Sequence, residues 1–431
     1  MMTDARRTPV DPSSAERLAG QDLTYRLIDT GSDADTEAFL RADARGFLGE
    51  EPAADVVAAD RAGIRDRRNV GVFEAGAAVG TWPVATVNSW VAPLTVPGGE
   101  VDMWAISSVT VSGTHRRRGI ARALLEGELR AAASAGVPVA GLTVSEATIY
   151  GRYGFASAVP VAKMTIDTRR AGWAAPSPAG RVEYLEKEAL KSTLAAVHEV
   201  ERTQRAGQIA GWDLRWGRMT GVAPGNSSAA KVRGVRYLDE HGNVRGVMVY
   251  TLNDIPGAFR SEMAISLLST VTADALTALW AFALQHDLVD RVTADLRPID
   301  DPLPWLVADR RGVEVMVHDH GWLRILDIQA ALSARTYRAP LDIVLRVDDA
   351  LEFAAGSWRL TVTDGSASVT PAEAEKADVV LDIGALSAIY VGGVSAVQLR
   401  AAGRLDATAE VAASIDDAFR AAQAPVLGIW Y

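Results

Sequence analysis

With 431 residues, the chain is longer than one hydrophobic core usually organises, so we expect two or three domains. Its 48% hydrophobic and 23% charged residues are typical of globular proteins, and no apolar run approaches the roughly 20 residues that a membrane span needs. The net charge of -10 argues against a general nucleic-acid surface and favours a cationic small substrate.

The chain contains no cysteine, which excludes disulfides, cysteine nucleophiles and thiolate metal sites. The histidines form no helical ligand pair, and we interpret the closest approach, HDH at residues 318–320, as a turn rather than a metal site. The first twenty residues are polar and carry no apolar signal-peptide core, so we expect them to be frayed. These features predict a cytoplasmic protein without a metal.

The first third of the chain predicts a domain of mixed helices and strands. From about residue 23, periods of 3.6 residues predict helices, and β-branched alternation predicts strands separated by a PGG turn at residues 97–99. The pieces in chain order are TEAFLRADARGFL, NVGVFEAG, GTWPVATVNSWVAPLTV, VDMWAISSVTV, GIARALLEGELRAAASAG, VAGLTVSE and ATIYGRYGF. Their order, α, β, β, β, α, β, α, is typical of the α+β class.

A stretch rich in Pro, Ala, Gly and Ser, AGWAAPSPAG at residues 171–180, predicts a linker near a domain edge. Beyond it the arrangement of residues 101–155 recurs: a central strand runs into a long helix, then a strand and a proline-interrupted short helix follow. This indicates a divergent internal repeat. Between strand and helix the first copy has GTHRRRG and the second only STVTA, so the second copy is expected not to bind what the first binds.

A third unit begins near residue 321 and shows helices and strands without catalytic spacing. It ends in VLGIWY, in which five of the last six residues are large and apolar or aromatic. Such a composition is unusual for a solvated tail and predicts a buried chain end.

The stretch RRRGIAR at residues 116–122 predicts an anion site. A helix begins with unpaired N–H groups and a partial positive charge, and glycine lets a ligand approach the backbone. Arg116, Gly119 and Ala121 fit the spacing Q/R-x-x-G-x-G/A, so the amides of residues 117–122 would point at a pyrophosphate. A solvated basic helix start is the alternative. The strand before the loop, and the strand and tyrosine after it, favour the anion site.

These segments resemble a known family. The VTV strand end, the R-R-R-G-I-A loop and SEATIYGRYGF resemble the acetyl-coenzyme A site of GNAT acetyltransferases. The three-part chain with its IYGRYGF motif resembles the Eis family of actinobacterial aminoglycoside acetyltransferases. The resemblance covers essentially the whole chain and is most specific at residues 109–155. It implies an α+β fold of two tandem GNAT-like domains, the second degenerate, and a sterol-carrier-protein-like α/β domain, at residues 1–170, 171–315 and 316–431.

The resemblance also implies how acetyl-coenzyme A, the co-substrate, is bound. Main-chain groups at the end of the VTV strand would hold the pantetheine arm as though it were an added strand. The arginine loop would hold the pyrophosphate, and two residues after the next strand would lie near the acyl end. The residues implied are Val109, Thr110 and Val111 for the pantetheine, Arg117, Arg118, Gly119, Ile120, Ala121 and Arg122 for the pyrophosphate, and Ser145 and Glu146 for the acyl end.

By the same resemblance, Tyr150 is the general acid that protonates the departing sulfur, since a tyrosine with a pKa of about 10 stays protonated at neutral pH. Without the resemblance, a packed aromatic residue is the alternative, which we favour for Tyr153 and Phe155. The family's base is the free α-carboxylate of the last residue, here Tyr431. It is charged at neutral pH and could accept a proton from an ammonium group. A disordered tail is the alternative.

The resemblance therefore implies an N-acetyltransferase that acts on amines of aminoglycosides or related polyamines, and it also implies a homohexamer. A peptide or protein lysine N-acetyltransferase and a lipid-binding scaffold with a vestigial GNAT domain remain as alternatives. The intact loop and Tyr150 disfavour the scaffold. Several acidic residues and tryptophans of the first domain are candidates for the substrate cleft without an assigned role: Asp29, Asp33, Asp35, Glu37 and Asp43, and Trp82, Trp90 and Trp104.

Overall fold

In the computed structural model, which describes residues 3–373 and 376–431, the chain folds as two units. The first unit comprises the described residues up to Ala158, then Gly321–Ala422 and Tyr431. The second comprises Val159–His320 and Gln423–Trp430. Each unit therefore combines stretches that are far apart in the sequence. The boundaries 1–170, 171–315 and 316–431 stay a prediction.

The N-terminal stretch contains the predicted succession of strands and helices. An initial 3-10 turn is followed by an antiparallel run of strands, and β4 leads through a second 3-10 turn into the long helix α4. The elements are Ala5–Arg7 (3-10), α1 (Pro12–Ala19), β1 (Leu23–Leu27), α2 (Asp33–Gly46), α3 (Ala54–Ile64), β2 (Arg68–Glu74), β3 (Ala85–Val96), β4 (Gly99–Val111), Gly113–His115 (3-10), α4 (Ile120–Ser134), β5 (Val139–Thr143), α5 (Ala147–Tyr150) and Gly151–Tyr153 (3-10).

The expectation that the first twenty residues are frayed is wrong, because helix α1 forms there. The Asp11 carboxylate caps the helix by accepting a hydrogen bond from the Ser14 N–H at 2.8 Å, and Pro12 occupies the first turn, where its missing N–H costs nothing. Leu18 is fully buried. Asp11 also forms an ion pair with Arg130 of α4 at 2.7 Å. The cap, the buried leucine and this ion pair together hold the segment in place.

The middle of the chain repeats the same plan. The strand β10 runs into α9, β11 follows, and then comes a short helix that begins near Pro302. The elements are β6 (Ala156–Asp167), α6 (Thr168–Ala171), β7 (Arg181–Tyr184), α7 (Lys187–Arg202), α8 (Asp213–Thr220), Ala229–Lys231 (3-10), β8 (Val232–Leu238), β9 (Val244–Asp254), β10 (Ser261–Thr270), α9 (Ala273–Leu284), β11 (Val289–Arg297), α10 (Leu303–Leu306), Arg310–Gly312 (3-10) and β12 (Val313–Ile325). In the second unit the strand order is β6-β11-β10-β9-β8-β7.

The HDH segment at residues 318–320 lies within strand β12, so its interpretation as a turn is wrong. Most of the flanking residues, VEVMV before the segment and WLRI after Gly321, favour strands, and they continue the extended backbone through it. His320 is fully buried, and its Nε2 lies 3.0 Å from the Ile429 carbonyl oxygen. Burial lowers the pKa of His320 to about 4, so this histidine is neutral at pH 7.

The C-terminal stretch builds a second sheet. Its five strands have the order β15-β14-β13-β16-β17, and β13 and β16 are parallel. Helix α12 is buried along its whole length. The elements are α11 (Ile328–Ser333), β13 (Leu341–Asp348), β14 (Gly356–Thr363), β15 (Ser366–Pro371), β16 (Val379–Asp382), α12 (Ile383–Ile389), α13 (Ala396–Ala401), β17 (Leu405–Ala407) and α14 (Ala409–Phe419).

Strand β5 lies between β4 and β12 in the sheet of the first unit. On one side it pairs in parallel with β4, from Met103 opposite Val139 to Ala105 opposite Gly141. On its other side it pairs antiparallel with the end of β12, from Gly321 opposite Thr143 to Ile325 opposite Val139. Beyond Ala105, β4 continues to Val111 without pairing to β5 in the described register. The two strands are therefore not paired at their carboxyl ends, which is where ligands bind in open parallel sheets. We call the region between these unpaired ends the cleft.

Buried polar contacts hold helix α4 against this sheet. Glu128, fully buried, accepts hydrogen bonds from Arg68 Nε at 3.1 Å and Trp104 Nε1 at 3.1 Å. A buried carboxylate is tolerated only when it is paired in this way. The middle of α4 is thereby fixed against strands β2 and β4. In the described ranges, no helix combines the length and the apolar character that a membrane crossing requires.

Candidate active site

The arginine loop enters helix α4 through two left-handed backbone positions. Arg117 has φ 63° and Gly119 has φ 75°. Gly119 is the N-cap residue, so no side chain caps the first turn in this described stretch, and that turn carries no acidic residue. Its N–H groups and the positive end of the helix dipole are consequently open toward the loop. The backbone meets the requirements that the sequence predicts for an anion site.

The arginine side chains of the loop differ in whether they already have a hydrogen-bond or ion-pair partner within the protein. Arg116, Arg117 and Arg118 are all exposed, and Arg118 donates to the Gln21 carbonyl oxygen at 3.0 Å. Arg122 pairs with Glu126 at 2.6 Å. Among the predicted pyrophosphate residues, Ile120 is buried and Ala121 is half-buried, so these two can contribute only main-chain groups.

A bulge distorts strand β4 just before the predicted pantetheine residues. Ser108 has φ 55°, and the register with β3 shifts at this point. Thr110 is buried, and its hydroxyl lies 2.6 Å from that of Thr86. Val109 and Val111 are half-buried. The edge of this segment that faces β3 is paired, whereas the opposite edge borders the cleft where β4 and β5 part.

Asp43 of helix α2 faces the bulge. Ser108 Oγ donates to its Oδ2 at 3.3 Å, and its Oδ1 has no hydrogen-bond partner among the described residues. Burial raises the pKa of Asp43 to about 7, and Asp60 adds to the rise. Of the candidate tryptophans, Trp104 lies in the core, and the guanidinium of Arg45 lies over Trp82 at 5.0 Å.

The segment after β5 carries the predicted acyl-end residues and the predicted acid. Ser145 and Glu146 are exposed, and Glu146 accepts from Thr148 Oγ1 at 2.9 Å. Tyr150 ends helix α5 and is 8% exposed. Burial raises the pKa of the Tyr150 phenol, and Glu146 and Tyr153 contribute to the rise. The hydroxyl therefore keeps its proton at neutral pH and can donate it.

The rest of the IYGRYGF motif is fixed by packing and by a buried ion pair. Tyr153 and Phe155 lie in the core of the first unit, and Phe155 contacts the edge of the Tyr150 ring at a centroid distance of 6.3 Å. Arg324 Nε donates to the Tyr153 carbonyl oxygen at 3.3 Å. The same guanidinium binds both carboxylate oxygens of Asp349, at 2.6 and 2.7 Å.

The last residue lies at the carboxyl end of β5. Thr143 Oγ1 donates to a terminal oxygen of Tyr431 at 2.6 Å, and the Tyr431 N–H donates back to the same hydroxyl oxygen at 3.4 Å. The Tyr431 ring packs edge-on against Trp90 at a centroid distance of 5.6 Å. Gly141 leaves room for it, since a Cβ there would lie 3.0 Å from Tyr431 Oη. Burial raises the pKa of this phenol.

The end of β5 is thus common to the predicted acid, which follows it in the sequence, and to the predicted base, which is hydrogen-bonded to it. Tyr150 follows Thr143 by seven positions in the sequence, and Tyr431 is bound to Thr143 by two hydrogen bonds. The sequence gives no reason to select Thr143, which is simply the threonine in VAGLTVSE. Trp90 could be found as a candidate aromatic residue, but its contact with the chain end could not.

Three family models match the chain. Two of them describe an acetyltransferase (GNAT) domain, at residues 27–158 and 207–325, and the third describes a sterol carrier protein domain at residues 328–428. These matches confirm the predicted fold class of two tandem GNAT domains followed by a sterol-carrier-like domain.

Known proteins are similar over most of the chain. An N-acetyltransferase of Streptomyces avermitilis is 35% identical over 408 residues, which cover 92% of this chain and 96% of the relative. The N-acetyltransferase Eis of Mycobacterium tuberculosis is 33% identical over 325 residues, which cover 72% of this chain and 76% of the relative.

Solved structures are also similar to this chain over most of its length. The crystal structure of Eis1 from Mycobacterium abscessus has a TM-score of 0.80 and 30% identity, covering 95% of this chain and 100% of that one. A GCN5-related N-acetyltransferase from Anabaena variabilis shares the fold at a TM-score of 0.77 and 19% identity, with coverage of 95% and 100%. Together with the relatives, these structures lead to one conclusion: the chain is an N-acetyltransferase that belongs to the Eis family.

Proposed function

We propose that this enzyme transfers the acetyl group of acetyl-coenzyme A to an amino group of an aminoglycoside or a related polyamine. In this proposal Tyr150 is the general acid and the terminal carboxylate of Tyr431 is the general base. The observation that carries it is the hydrogen bond of 2.6 Å from Thr143 to that carboxylate. It holds the carboxylate at the end of β5, the strand that precedes the Tyr150 segment.

The residues of the cleft fit acetyl-coenzyme A. The open first turn after Gly119 and the exposed Arg117 suit a pyrophosphate, and Arg118 and Arg122 would add charge. The free edge of Val109–Val111 suits a pantetheine arm, with Ser145 and Glu146 beyond it. The bound co-substrate would supply the acetyl thioester.

The base has two tasks in this proposal. An amine is protonated at neutral pH, and its nitrogen can attack a thioester only after losing that proton. The Tyr431 carboxylate attracts the ammonium group and accepts the proton. Thr143 and the packing against Trp90 fix the direction of the carboxylate, which is the positioning that acyl transfer mostly requires.

Tyr150 completes the proton transfer. As the bond between the acetyl carbon and sulfur breaks, the phenol donates its proton to the sulfur and free thiol leaves. The raised pKa of Tyr150 keeps the phenol protonated before each turnover. The attacking nitrogen loses a second proton as the amide forms, and this proton, passed through solvent, restores the phenol. The carboxylate releases to solvent the proton that it took from the ammonium group, so the base and the acid both return to their starting states and one proton is released per turnover.

We propose that the active form is a cytoplasmic homohexamer. The support is an exposed apolar run in β12, where Val315, Met316 and Val317 are 43%, 58% and 56% exposed. Such a patch usually becomes buried in an interface. Light scattering coupled to size-exclusion chromatography should give six times the mass of one chain, and a monomer would contradict this part.

The decisive experiment follows thiol release from acetyl-coenzyme A with kanamycin, spermidine and a lysine peptide as acceptors. We expect release with kanamycin or spermidine. Release with the peptide alone would identify a lysine acetyltransferase, and release with none of the three would favour a scaffold protein.

Two variants in the same assay test the base. A tag attached after Tyr431 converts the carboxylate into an amide and should reduce turnover to background. The matched control, Tyr431→Phe, keeps the carboxylate and the ring, and should retain turnover within about threefold of the native rate. Full activity of the tagged chain would exclude the terminal carboxylate as the base.

A further inference from the structure

A cavity of about 390 Å³ lies in the second unit, at the position that corresponds to the acyl cleft of the first. The parallel pairing of β10 and β11 ends at Ile265 opposite Ala294, and beyond this point the strands part around the cavity. We call it the central cavity and define it by His198, Glu201, Arg205, Ser266, Arg297 and Asp301, all of which line it.

The helix that starts at the central cavity differs from α4 in its electrostatics. Thr272 caps α9 by accepting a hydrogen bond from the Ala275 N–H at 3.2 Å, and Asp274 adds a negative charge in the first turn. The positive helix end is therefore already compensated. A phosphate, which binds open helix starts, is not the ligand that this cavity suits.

The charged groups on the wall leave an excess of negative charge. The wall carries the carboxylates of Glu201, Asp295, Asp300 and Asp301 and the guanidinium groups of Arg205 and Arg297, which is four acidic against two basic groups. Arg297 binds Asp301 at 2.8 Å and the Leu268 carbonyl oxygen at 2.6 Å.

Arg205 is engaged in the same way. It binds the Asp300 carboxylate and, at 2.7 Å, the Ala424 carbonyl oxygen. Both cations are thus satisfied within the protein, and so are three of the carboxylates: Asp300 and Asp301 pair with these arginines, and Asp295 Oδ1 lies 3.0 Å from His318 Nε2. The acceptors to consider for a cationic ligand therefore lie on helix α7.

His198 supplies an independent sign of a ligand. It is 2% exposed, it lines the cavity, and its Nε2 has no hydrogen-bond partner among the described residues. Its ring packs on Trp216 at 4.8 Å. Burial lowers the pKa of His198 to about 4, so the ring is neutral and can accept a hydrogen bond. A buried polar atom without a partner costs free energy that a donor from a ligand would recover.

Glu201 offers a second acceptor on the same helix, α7. Ser269 donates to one of its carboxylate oxygens, and burial raises its pKa. A positive charge placed beside it would favour the ionised carboxylate.

We propose that the central cavity is a non-catalytic binding site for a small organic cation with a primary ammonium group, which donates to His198 Nε2 and to Glu201. The cavity wall also holds the last segment of the chain, because Gln208 accepts from the Gly428 N–H at 3.1 Å. That segment continues to Tyr431.

Calorimetric titration of the full-length protein with spermidine, in the absence of acetyl-coenzyme A, tests the site directly. We expect saturable binding that weakens at least tenfold in His198→Phe, which keeps a ring against Trp216, and in Glu201→Gln. The control Glu188→Gln makes the same change at an exposed position of the same helix and should bind as the native chain does. Ser266→Trp, at an exposed residue of the wall, should block the cavity without altering the core.

The outcomes separate this inference from the proposed function. Unchanged binding in His198→Phe, Glu201→Gln and Ser266→Trp would overturn the inference, as would no binding by the native chain. An equal loss in Glu188→Gln would show a general charge effect and would also overturn it. Binding that is lost in the cavity variants and kept in Tyr150→Phe supports it, even if no amine is acetylated.

Discussion

The hydroxyl of Thr143 donates a hydrogen bond of 2.6 Å to the terminal carboxylate of Tyr431, which lies 288 positions further along the chain. The Tyr431 N–H returns a hydrogen bond to the same hydroxyl. A single threonine therefore fixes both the direction and the position of the proposed base, with Trp90 against the ring. The predictions below start from this contact.

Thr143→Val removes both hydrogen bonds and keeps the shape of the side chain. With the carboxylate less well oriented, we expect kcat to fall roughly tenfold, equivalent to about 1.4 kcal/mol, with KM for acetyl-coenzyme A nearly unchanged. Steady-state kinetics with kanamycin would measure it. Thr251→Val, at a half-buried threonine of β9, serves as the control. An unaltered kcat in Thr143→Val would remove Thr143 from the proposed mechanism.

Tyr150→Phe removes only the proposed proton donor. We expect kcat to fall by about 100-fold or more, the usual effect of losing a general acid, while affinity for acetyl-coenzyme A is retained. Because burial raises the pKa of Tyr150, the native enzyme should show no loss of rate from this group between pH 6 and about pH 10. Tyr153→Phe, the neighbouring tyrosine of the motif, should keep nearly full activity. If Tyr153→Phe is the inactive variant, the roles are exchanged.

Gly119→Ala tests the left-handed start of α4. A Cβ at this position meets nothing within 4 Å, so the substitution acts through φ 75°, at a cost of about 1–2 kcal/mol. We expect the loop to distort and KM for acetyl-coenzyme A to rise roughly tenfold. Gly113→Ala, in the same loop and also without a close neighbour, is the control and should leave KM unchanged. Equal KM values in both variants would mean that the loop does not hold the pyrophosphate.

Asp349→Asn should destabilise the protein strongly. Arg324 and Asp349 are 0% and 1% exposed, and breaking a buried pair leaves an uncompensated charge, which costs about 3–5 kcal/mol. Urea unfolding would measure the difference. Asp342→Asn breaks the pair with Arg359, in which both partners are half-exposed, and should lower the free energy of unfolding far less, because solvent screens an exposed pair. Similar losses in the two variants would contradict the importance of burial.

Asp43→Asn should stabilise the protein at high pH. The pKa of Asp43 is raised by burial to about 7 from an ordinary value of 3.8, so the folded state holds this proton more tightly than the unfolded state. Its contribution to stability falls as pH rises from about 4 to 7 and is constant above that. The variant has no carboxylate to ionise at this position. Its free energy of unfolding should therefore exceed that of the native protein by up to about 4 kcal/mol at pH 8, with little difference at pH 4. Urea unfolding at both pH values measures it, and an equal gain at both would contradict the assignment.

Local sequence patterns were sufficient to predict the strands and helices that surround the site. The strand before the arginine loop and helix α4 were predictable because alternation and the 3.6-residue period are properties of neighbouring residues, and the matching domain models confirm the fold that the motifs implied. Helix α1 could not be found in the same way, because Leu18 is buried by residues elsewhere in the chain. The HDH segment was misinterpreted because strand formers on both sides decide its conformation.

The site itself was only partly accessible from the sequence. The glycine at the start of α4 and the protonated Tyr150 follow from the motif, but Thr143 gains its importance from a partner 288 positions away. Neither the periodicity nor the composition of a sequence can predict a hydrogen bond between residues so far apart. Asp43 is similar, since its raised pKa arises from burial beside Ser108, and a sequence cannot show which of several acidic residues is desolvated.

The pairing of β5 with residues 321–325 has a consequence for how the protein is made. On the ribosome, the first domain emerges with one side of strand β5 unpaired, and the residues that pair with it are synthesised on the order of ten seconds later. During that interval the nascent chain exposes an unpaired strand edge, which can pair with strands of other chains. Chaperone occupancy and the timing of translation across the middle of the message would therefore govern the yield of native enzyme.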